Sequence, residues 1–468
     1  MKHNLYGFLL LSGLTACTMG PDYHAELPAV PADWQAMPSK VDAASTETLK
    51  SWWKSFGDSG LDNLMDKALA GNLDVKIALS RIDQARAERR GTRAELFPTV
   101  NATAGAQRQS NPFPGLASGI KYNLFEVGFD ALWEIDLFGR QQRRLEAATA
   151  DLDGANEQYQ QTFVTLTAEV ARNYIDYRSQ QRQLQITKTN LQSQQQTLNL
   201  TEKLFKEGVG TRHDVVRSRA QTEATEAQLP ALEAALVVSQ RQLEVLLGQQ
   251  PGSLNAELQS FMVFPKTPAQ QLLTSPAETI RQRPDIHIAE RQLAAATAMQ
   301  GAAVAELFPK ISLSAFLGLR NTDIETLFKS AAFSYGTAAN LLQPILNFGR
   351  IQAGIDLAEA KQQQAYLHYQ KTVLDALQET ESALTQYLKS EIRSQSLSKA
   401  VTDLQESVRL SQLRYQEGVI SLLDVLDAQR SLFCAEIELT RSQTATSTHL
   451  IAVYKALGGG ANNALPNT

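Results

Sequence analysis

Residues 140–206 read RQQRRLEAATADLDGANEQYQQTFVTLTAEVARNYIDYRSQQRQLQITKTNLQSQQQTLNLTEKLFK. The stretch has no proline and one glycine, Gly154, so nothing in it breaks a helix running from end to end. Apolar side chains recur at every seventh position: Phe163, Val170, Tyr177, Leu184, Leu191, Leu198 and Phe205. A strict heptad spacing belongs to helices that supercoil against neighbours. At 1.5 Å per residue such a helix runs roughly 100 Å, more than a compact domain accommodates. Its other faces carry Gln, Ser, Thr and Asn, as a helix washed by water on one side requires.

The same heptad phase returns later in the chain at Tyr366, Val373, Tyr387, Val401, Val408 and Tyr415, and it returns with landmarks. Ala94-Glu95-Leu96-Phe97-Pro98 recurs 211 residues on as Ala305-Glu306-Leu307-Phe308-Pro309. Phe138-Gly139-Arg140 recurs 210 residues on as Phe348-Gly349-Arg350, Glu207-Gly208-Val209 as Glu417-Gly418-Val419, and Leu247-Gly248 as Leu457-Gly458. Landmarks in one order and nearly one register mark a tandem duplication, with copies over about 61–248 and 276–458. Each copy reads helix, two strands, long helix, helix. The flanking helices are expected over about 61–95, 213–247, 277–306 and 421–457. Gly208 and Gly418 fit the position after a helix end, where the backbone turns left-handed.

Between the helices the period changes to two. Val100, Ala102, Ala104 and Ala106 alternate with Thr99, Asn101, Thr103 and Gly105, and Phe125, Val127, Phe129, Ala131, Trp133 and Ile135 alternate with more polar partners, including Glu126 and Asp130. In the second copy Ile311, Leu313, Ala315, Leu317 and Leu319 share one face, and so do Phe333, Tyr335, Ala339 and Leu341. Alternation says only that one face is buried, which a soluble sandwich also satisfies. If the strands lie in a membrane, four are too few, because such barrels start at about eight. An open edge in lipid leaves backbone groups unsatisfied at several kcal/mol each, so the barrel would be shared between chains. Two, three or four copies would supply eight, twelve or sixteen strands.

The rest of the chain narrows the class. It carries a net charge of −5, which gives no basic footprint for nucleic acid. Mean hydropathy is −0.25, and beyond the N-terminus no apolar run approaches the ~20 residues of a membrane-spanning helix. The six histidines are scattered, and no HExxH, CxxC, phosphate loop or nucleophile elbow appears, so neither an enzyme nor a bound metal or other cofactor is expected. Met1-Lys2-His3, the apolar stretch from Leu5 to Leu14 and Leu14-Thr15-Ala16-Cys17 form an export signal. The last four residues resemble the bacterial lipobox, which makes Cys17 the lipid-attachment residue; Thr18 after it, where an aspartate would retain the protein at the inner membrane, implies sorting to the outer one. Residues 18–60, with Pro21, Pro28, Pro31 and Pro38, read as an extended lead from the anchor. Cys434, in an apolar-rich helical stretch, reads as a small buried hydrophobe.

Nearly the whole chain resembles the outer-membrane factor family, the TolC-like efflux channels. The resemblance is strongest at Arg283-Pro284-Asp285-Ile286, Ala289-Glu290, Leu293-Ala294-Ala295 and Leu307-Phe308-Pro309-Lys310-Ile311, and again from Tyr415 to Leu432. The lipobox places it beside the lipoprotein branch that serves resistance-nodulation-division pumps. The resemblance implies a mostly α, α+β chain that trimerises, giving a twelve-strand β-barrel in the outer membrane and a twelve-helix α-barrel in the periplasm. It further implies a periplasmic adaptor (membrane fusion) protein and an inner-membrane resistance-nodulation-division pump as partners. The cargo would be drugs or other small toxic compounds, passing passively.

The family's periplasmic gate maps onto Asp424 and Asp427. Ser421 and Asp424 have the spacing of a capping box, as do Thr211 and Asp214, so helix-start chemistry alone accounts for Asp424. Asp427 lies past the first turn, and its counterpart in the first copy is Arg217. Three such carboxylates converging on an axis would concentrate negative potential. The turns Gly208-Val209-Gly210-Thr211 and Gly418-Val419-Ile420-Ser421 match the family's adaptor-docking tips. The expected organisation is a signal peptide 1–16, an anchored extended segment 17–60, a first repeat 61–248, an equatorial segment 249–275, a second repeat 276–458 and a tail 459–468. Two alternatives remain open to the sequence: a channel for type I protein secretion, and a pore-free periplasmic coiled-coil lipoprotein.

Overall fold

The computed structural model describes residues 18–25, 29–36, 49–111, 120–258 and 275–461. The expected signal and Cys17, much of the equatorial segment and most of the tail lie outside them. The elements follow the order read from the sequence. Helices α1 (Ser59–Gly71) and α2 (Leu73–Ala94) lead to strands β1 (Thr99–Asn111) and β2 (Ile120–Ile135). Next come the long α3 (Arg140–Lys206), then α4 (Arg212–Glu226) and α5 (Leu229–Leu246). The second half supplies α6 (Pro276–Gln282), α7 (Pro284–Ala305), β3 (Lys310–Asn321), β4 (Phe333–Leu342), α8 (Arg350–Gln416) and α9 (Leu422–Ala456). The two long helices are 67 residues each. Among the described residues, no helix is long and apolar enough to cross a membrane.

Three expected helices are broken. In α1–α2 the chain turns extended at Asn72, and in α6–α7 at Arg283, the residue before Pro284. A residue before proline is pushed out of helical backbone. The helix expected over 213–247 stops at Glu226 and restarts at Leu229. Pro230 is the reason: its ring collides with the carbonyl four residues back and it donates no N–H. The matching position in the second copy is Thr440, and α9 runs unbroken.

The duplication extends to individual hydrogen bonds. Asn72 donates its side-chain amide to the Leu246 carbonyl at the end of α5, 2.8 Å away. Arg283, its counterpart, donates to the Ala456 carbonyl at the end of α9, 2.6 Å away. Trp133 donates its indole N–H to the Leu96 carbonyl, and the counterpart Gln343 donates to the Leu307 carbonyl.

Contacts divide the chain into two units, each drawing on both halves of the sequence: Met1–Leu27, Ser80–Asn156 and His287–Lys371 in one, and Pro28–Leu79, Glu157–Ile286 and Thr372–Thr468 in the other. In the first unit the strands form one antiparallel sheet in the order β1-β2-β3-β4, so β1 and β4 are its edges. Register places Ala104, Val127, Leu319 and Phe333 in one row and Ala102, Phe129, Leu317 and Tyr335 in the next. The alternating apolar residues therefore share a single face, and a one-residue slip would turn all of them over. The other face mixes polar and small residues with a few apolar ones, Leu132, Phe316 and Leu342 among them. Arg320 pairs with Glu126 at 2.9 Å, and Thr103 donates to Asp130 at 2.8 Å. Phe316 lies across the paired Gly128 and Gly318; a Cβ on Gly128 would sit 2.9 Å from its ring.

In the second unit Trp52 stacks on Tyr454, ring centroids 5.1 Å apart, with Trp53, Phe56, Leu61, Leu64 and Met65 also buried. Tyr174 donates to Asp58, whose carboxylate also caps α1 through the Gly60 and Leu61 amides. Arg283, almost fully buried, pairs with Asp285 at 2.6 Å and Glu379 at 2.8 Å.

Candidate functional site

The periplasmic site expected from sequence is built from α3, α4, α8 and α9 in the second unit. Two helical hairpins end there. After α3, Gly208 takes φ +79°, its N–H reaches the Phe205 carbonyl and the Val209 N–H the Leu204 carbonyl. After α8, Gly418 takes φ +73°, with Gly418 N–H to Tyr415 and Val419 N–H to Arg414. This paired bonding closes a helix on a left-handed residue, so capping is an observed role of both glycines. Nothing lies within 4 Å of a Cβ built on either one. Val209 is 76% exposed and Val419 58%, Gly210 and Ile420 are half-buried, and Thr211 and Ser421 are exposed.

Thr211 and Asp214 complete a capping box at the start of α4. At the start of α9, the Asp424 carboxylate accepts from the Ser421 hydroxyl at 2.7 Å and the Ser421 N–H at 3.0 Å. Those two bonds, the hydroxyl first, hold the Asp424 carboxyl below the usual carboxylate range. On α9, Leu422, Val425 and Gln429 are buried, while Leu423, Asp424, Asp427 and Arg430 are exposed. The two aspartates thus share a free face. Asp427 has a partner the sequence reading did not anticipate: Arg430, one turn on, donates to it at 2.7 Å.

The heptad reading needs a correction at this end. Phe163, Val170, Tyr177 and Leu198 are buried, but Leu184 and Leu191 are half-buried and Phe205 is exposed. The seam is completed by the residues three positions after them, which are polar toward the tip: Thr187, Gln194 and Thr201, all buried. Gln429 of α9 donates to Ser193 at 3.1 Å and to Thr197 at 3.0 Å on α3. Thr444 donates to Ser179 farther up the same pair, and Gln405 of α8 donates to Glu436 of α9. The signal was in the sequence, as Thr and Gln at heptad spacing, but it read as a solvated face. Cys434 is likewise exposed rather than buried, being off the stripe that α9 packs inward.

Cys17 lies outside the described residues, but the chain just after it, in the first unit, is held firmly. Arg143, with a side chain 3% exposed, donates to the Met19 and Gly20 carbonyls and pairs with Asp22 at 2.6 Å and Glu146 at 2.8 Å. Gly20 meets Gly301 so closely that a Cβ on Gly20 would lie 2.5 Å from the Gly301 Cα. Tyr23 packs against Ala147, Ala150, Ala294, Ala295 and Ala298, and its hydroxyl donates to Glu290 at 2.9 Å. Glu290 also takes Arg291 at 2.8 Å and lies 3.5 Å from His287. The His287 bond first, then those from Tyr23 and Arg291, outweigh the effect of burial and push the Glu290 carboxyl down to about 2. Sequence reasoning read this segment only as extended; Gly20, Gly139 and Gly301 were the available signals.

An open sheet with one apolar face, and two 67-residue helices that end in matching hairpin tips, define the class: a subunit of an outer-membrane channel. The comparisons agree. The family model for outer membrane efflux protein matches residues 64–249 and 276–459. Nodulation protein T of Rhizobium leguminosarum bv. trifolii is 32% identical over 462 residues, 97% of this chain and 96% of that one. The cation efflux system protein CusC of Escherichia coli is 31% identical over 467 residues, 97% and 98% of the two chains. The solved outer-membrane channel OprN superposes with a TM-score of 0.89 at 35% identity, over 95% of this chain and 99% of that one. The chain belongs to the outer membrane efflux protein family. It is a channel component for efflux across the outer membrane and not an enzyme. Membership sets aside the pore-free reading.

Proposed function

We propose that three copies of this chain close a twelve-strand barrel in the outer membrane, continued by twelve periplasmic helices, and that the duct is the exit stage of a tripartite efflux pump. The observation that carries the reading is the sheet: four strands, one apolar face, and unpaired edges at β1 and β4. In lipid those edges need partner strands, and four strands are too few to close on themselves. The hairpin tips Gly208–Thr211 and Gly418–Ser421 dock a periplasmic adaptor, which couples the duct to a resistance-nodulation-division pump in the inner membrane. Their exposed valines and open backbone support that role. Asp427, with Asp424 beside it, rings the narrow end and sets its charge. A seam of Thr and Gln bonds can exchange partners at small net cost, which suits an end that opens. Cys17 carries the lipid, and the clamp on residues 19–23 fixes the first residues beyond it.

The duct conducts drugs or other small toxic compounds passively. Relatives of almost equal identity carry names as different as cation efflux and nodulation, so cargo selection is assigned to the pump rather than to this wall. The domain boundaries follow the duplication, with repeats over 61–248 and 276–458 flanking an equatorial segment. The test is direct: protein purified from outer membranes should have the mass of three chains and conduct ions in a planar bilayer. A monomer without conductance rejects the proposal.

A further inference from the structure

The first unit contains a junction between the two sequence copies that has an exposed duplicate. Where the first copy leaves the sheet, Phe138 stacks on Phe308 of the second copy, ring centroids 4.8 Å apart and planes 19° from parallel. Arg140 beside it pairs with Glu306 at 3.1 Å. These residues lie where β2 and β3 run side by side. By the duplication, Phe348 and Arg350 of the second copy correspond to Phe138 and Arg140, and Phe97 and Glu95 of the first copy correspond to Phe308 and Glu306.

Within one chain this second set cannot meet. Pro98 leads into β1 and Phe348 follows β4, and those strands are the opposite edges of the sheet. Accordingly Phe348 is 93% exposed and Phe97 58%, with Glu95 and Arg350 also exposed. Phe348 is also the one non-glycine among the described residues with positive φ, at +49°. Bulky side chains avoid that backbone region, and no packing within the chain offsets its cost. The nearby Ile345 and Leu346 are 91% and 75% exposed. A large apolar and strained patch on one edge thus has its complement, an exposed aromatic and a carboxylate, on the other.

We propose that Phe348 and Arg350 dock on Phe97 and Glu95 of a second copy of this chain, repeating between chains the Phe138–Phe308 and Arg140–Glu306 contacts seen within one. The register transfers as well. Leu132 faces Ser314 across β2 and β3, so Leu342 faces Thr103 of the neighbouring copy, and Leu341 faces Ala104. Both members of the latter pair lie on the apolar face, as a shared barrel wall requires. Parts of the template are not copied: Lys310, which also binds Glu306 at 2.7 Å, corresponds to Thr99, and Glu95 has Arg144 at 3.8 Å within its own chain. Glu134, which also binds Arg140, corresponds to Pro344, so Arg350 relies on Glu95 alone. This inference rests on the multi-chain reading above and names its contact.

The test uses the full chain with Cys434→Ser, carrying Phe97→Cys and Phe348→Cys together, treated in outer membranes with a short bis-methanethiosulfonate. Cys17 stays in place, and the single-cysteine parents control for it. The expected result is a covalent ladder that ends at the native oligomer, at least tenfold above either parent. In parallel, Arg350→Glu should reduce the detergent-resistant oligomer several-fold, and adding Glu95→Arg should restore it. A native oligomer with no ladder and no charge-swap rescue overturns this pairing while leaving the multi-chain channel standing. A parent chain that is monomeric in the membrane overturns both.

Discussion

Capping and docking make different demands on Gly418, and one pair of substitutions separates them. Gly418 sits at φ +73° with no atom within 4 Å of a built Cβ. Replacing it with alanine therefore introduces no clash within the chain, and the whole cost is the left-handed backbone, about 1–2 kcal/mol. That amount raises local opening of the hairpin about 5- to 30-fold. Hydrogen exchange should report it at the Gly418 and Val419 amides, which close the turn on Tyr415 and Arg414. The oligomer, held elsewhere, should survive. Asparagine tolerates left-handed backbone far better than alanine, so Gly418→Asn should keep exchange near the parent. Its side chain nevertheless projects into the open space through which an adaptor backbone would approach. If the tip docks by close approach, Gly418→Asn loses adaptor co-purification and dye efflux despite its intact turn. Should efflux instead follow hairpin exchange, with the asparagine variant near normal and the alanine variant impaired, the docking role is refuted and capping is the whole of the glycine's work.

Asp427→Ala should raise single-channel conductance and weaken cation preference, whereas Arg430→Ala, which frees the Asp427 carboxylate from its 2.7 Å partner, should strengthen that preference; equal selectivity in both variants argues against a charged ring. Arg283→Leu leaves the Ala456 carbonyl, Asp285 and Glu379 without their shared donor, and should cost roughly 2–3 kcal/mol, read as faster exchange at the end of α9 and a lower Tm. The Glu290 carboxyl sits at about 2 in the folded chain, below the ~4.3 of an unfolded glutamate, so its contribution is complete above that value and is lost as pH falls toward 2. Exchange protection at residues 19–23 should therefore hold from pH 7 to 5 and decay below about 4.3, with Glu290→Gln weakening that pH dependence, since the Arg143 pairs with Asp22 and Glu146 remain. Gly301→Ala should release the same segment at neutral pH, since its Cβ would meet Arg143 at 2.9 Å and the Met19 carbonyl at 3.0 Å; unchanged protection there would show that these contacts do not hold residues 19–23.

Much of this protein was legible without coordinates. The limits of the first 67-residue helix, the heptad phase of the second, the four alternating strands and the paired turns follow from periods of seven and two and from where proline and glycine fall, all of which act within a few residues along the chain. Pro230 and Pro284 were equally local signals, and the helix breaks they impose could have been placed. The hairpin aspartates were half legible: the spacing of Ser421 and Asp424 announces a cap, but only the packing of α9 shows that Asp427 shares its free face and meets Arg430. The polar seam at Thr187, Gln194 and Thr201 was invisible for a related reason. A threonine at heptad spacing reads as solvated until a second helix, with Gln429 on its inner face, comes to lie against it. The clamp on residues 19–23 needed tertiary structure most, since Arg143, Gly301 and Glu290 are far from them in sequence and none belongs to a periodic pattern. Periodicity determined which elements form and which of their faces are apolar, because backbone sterics and side-chain spacing are local. Which faces meet, and therefore which polar groups find partners and which aromatics are left exposed, was decided only when distant segments were brought together.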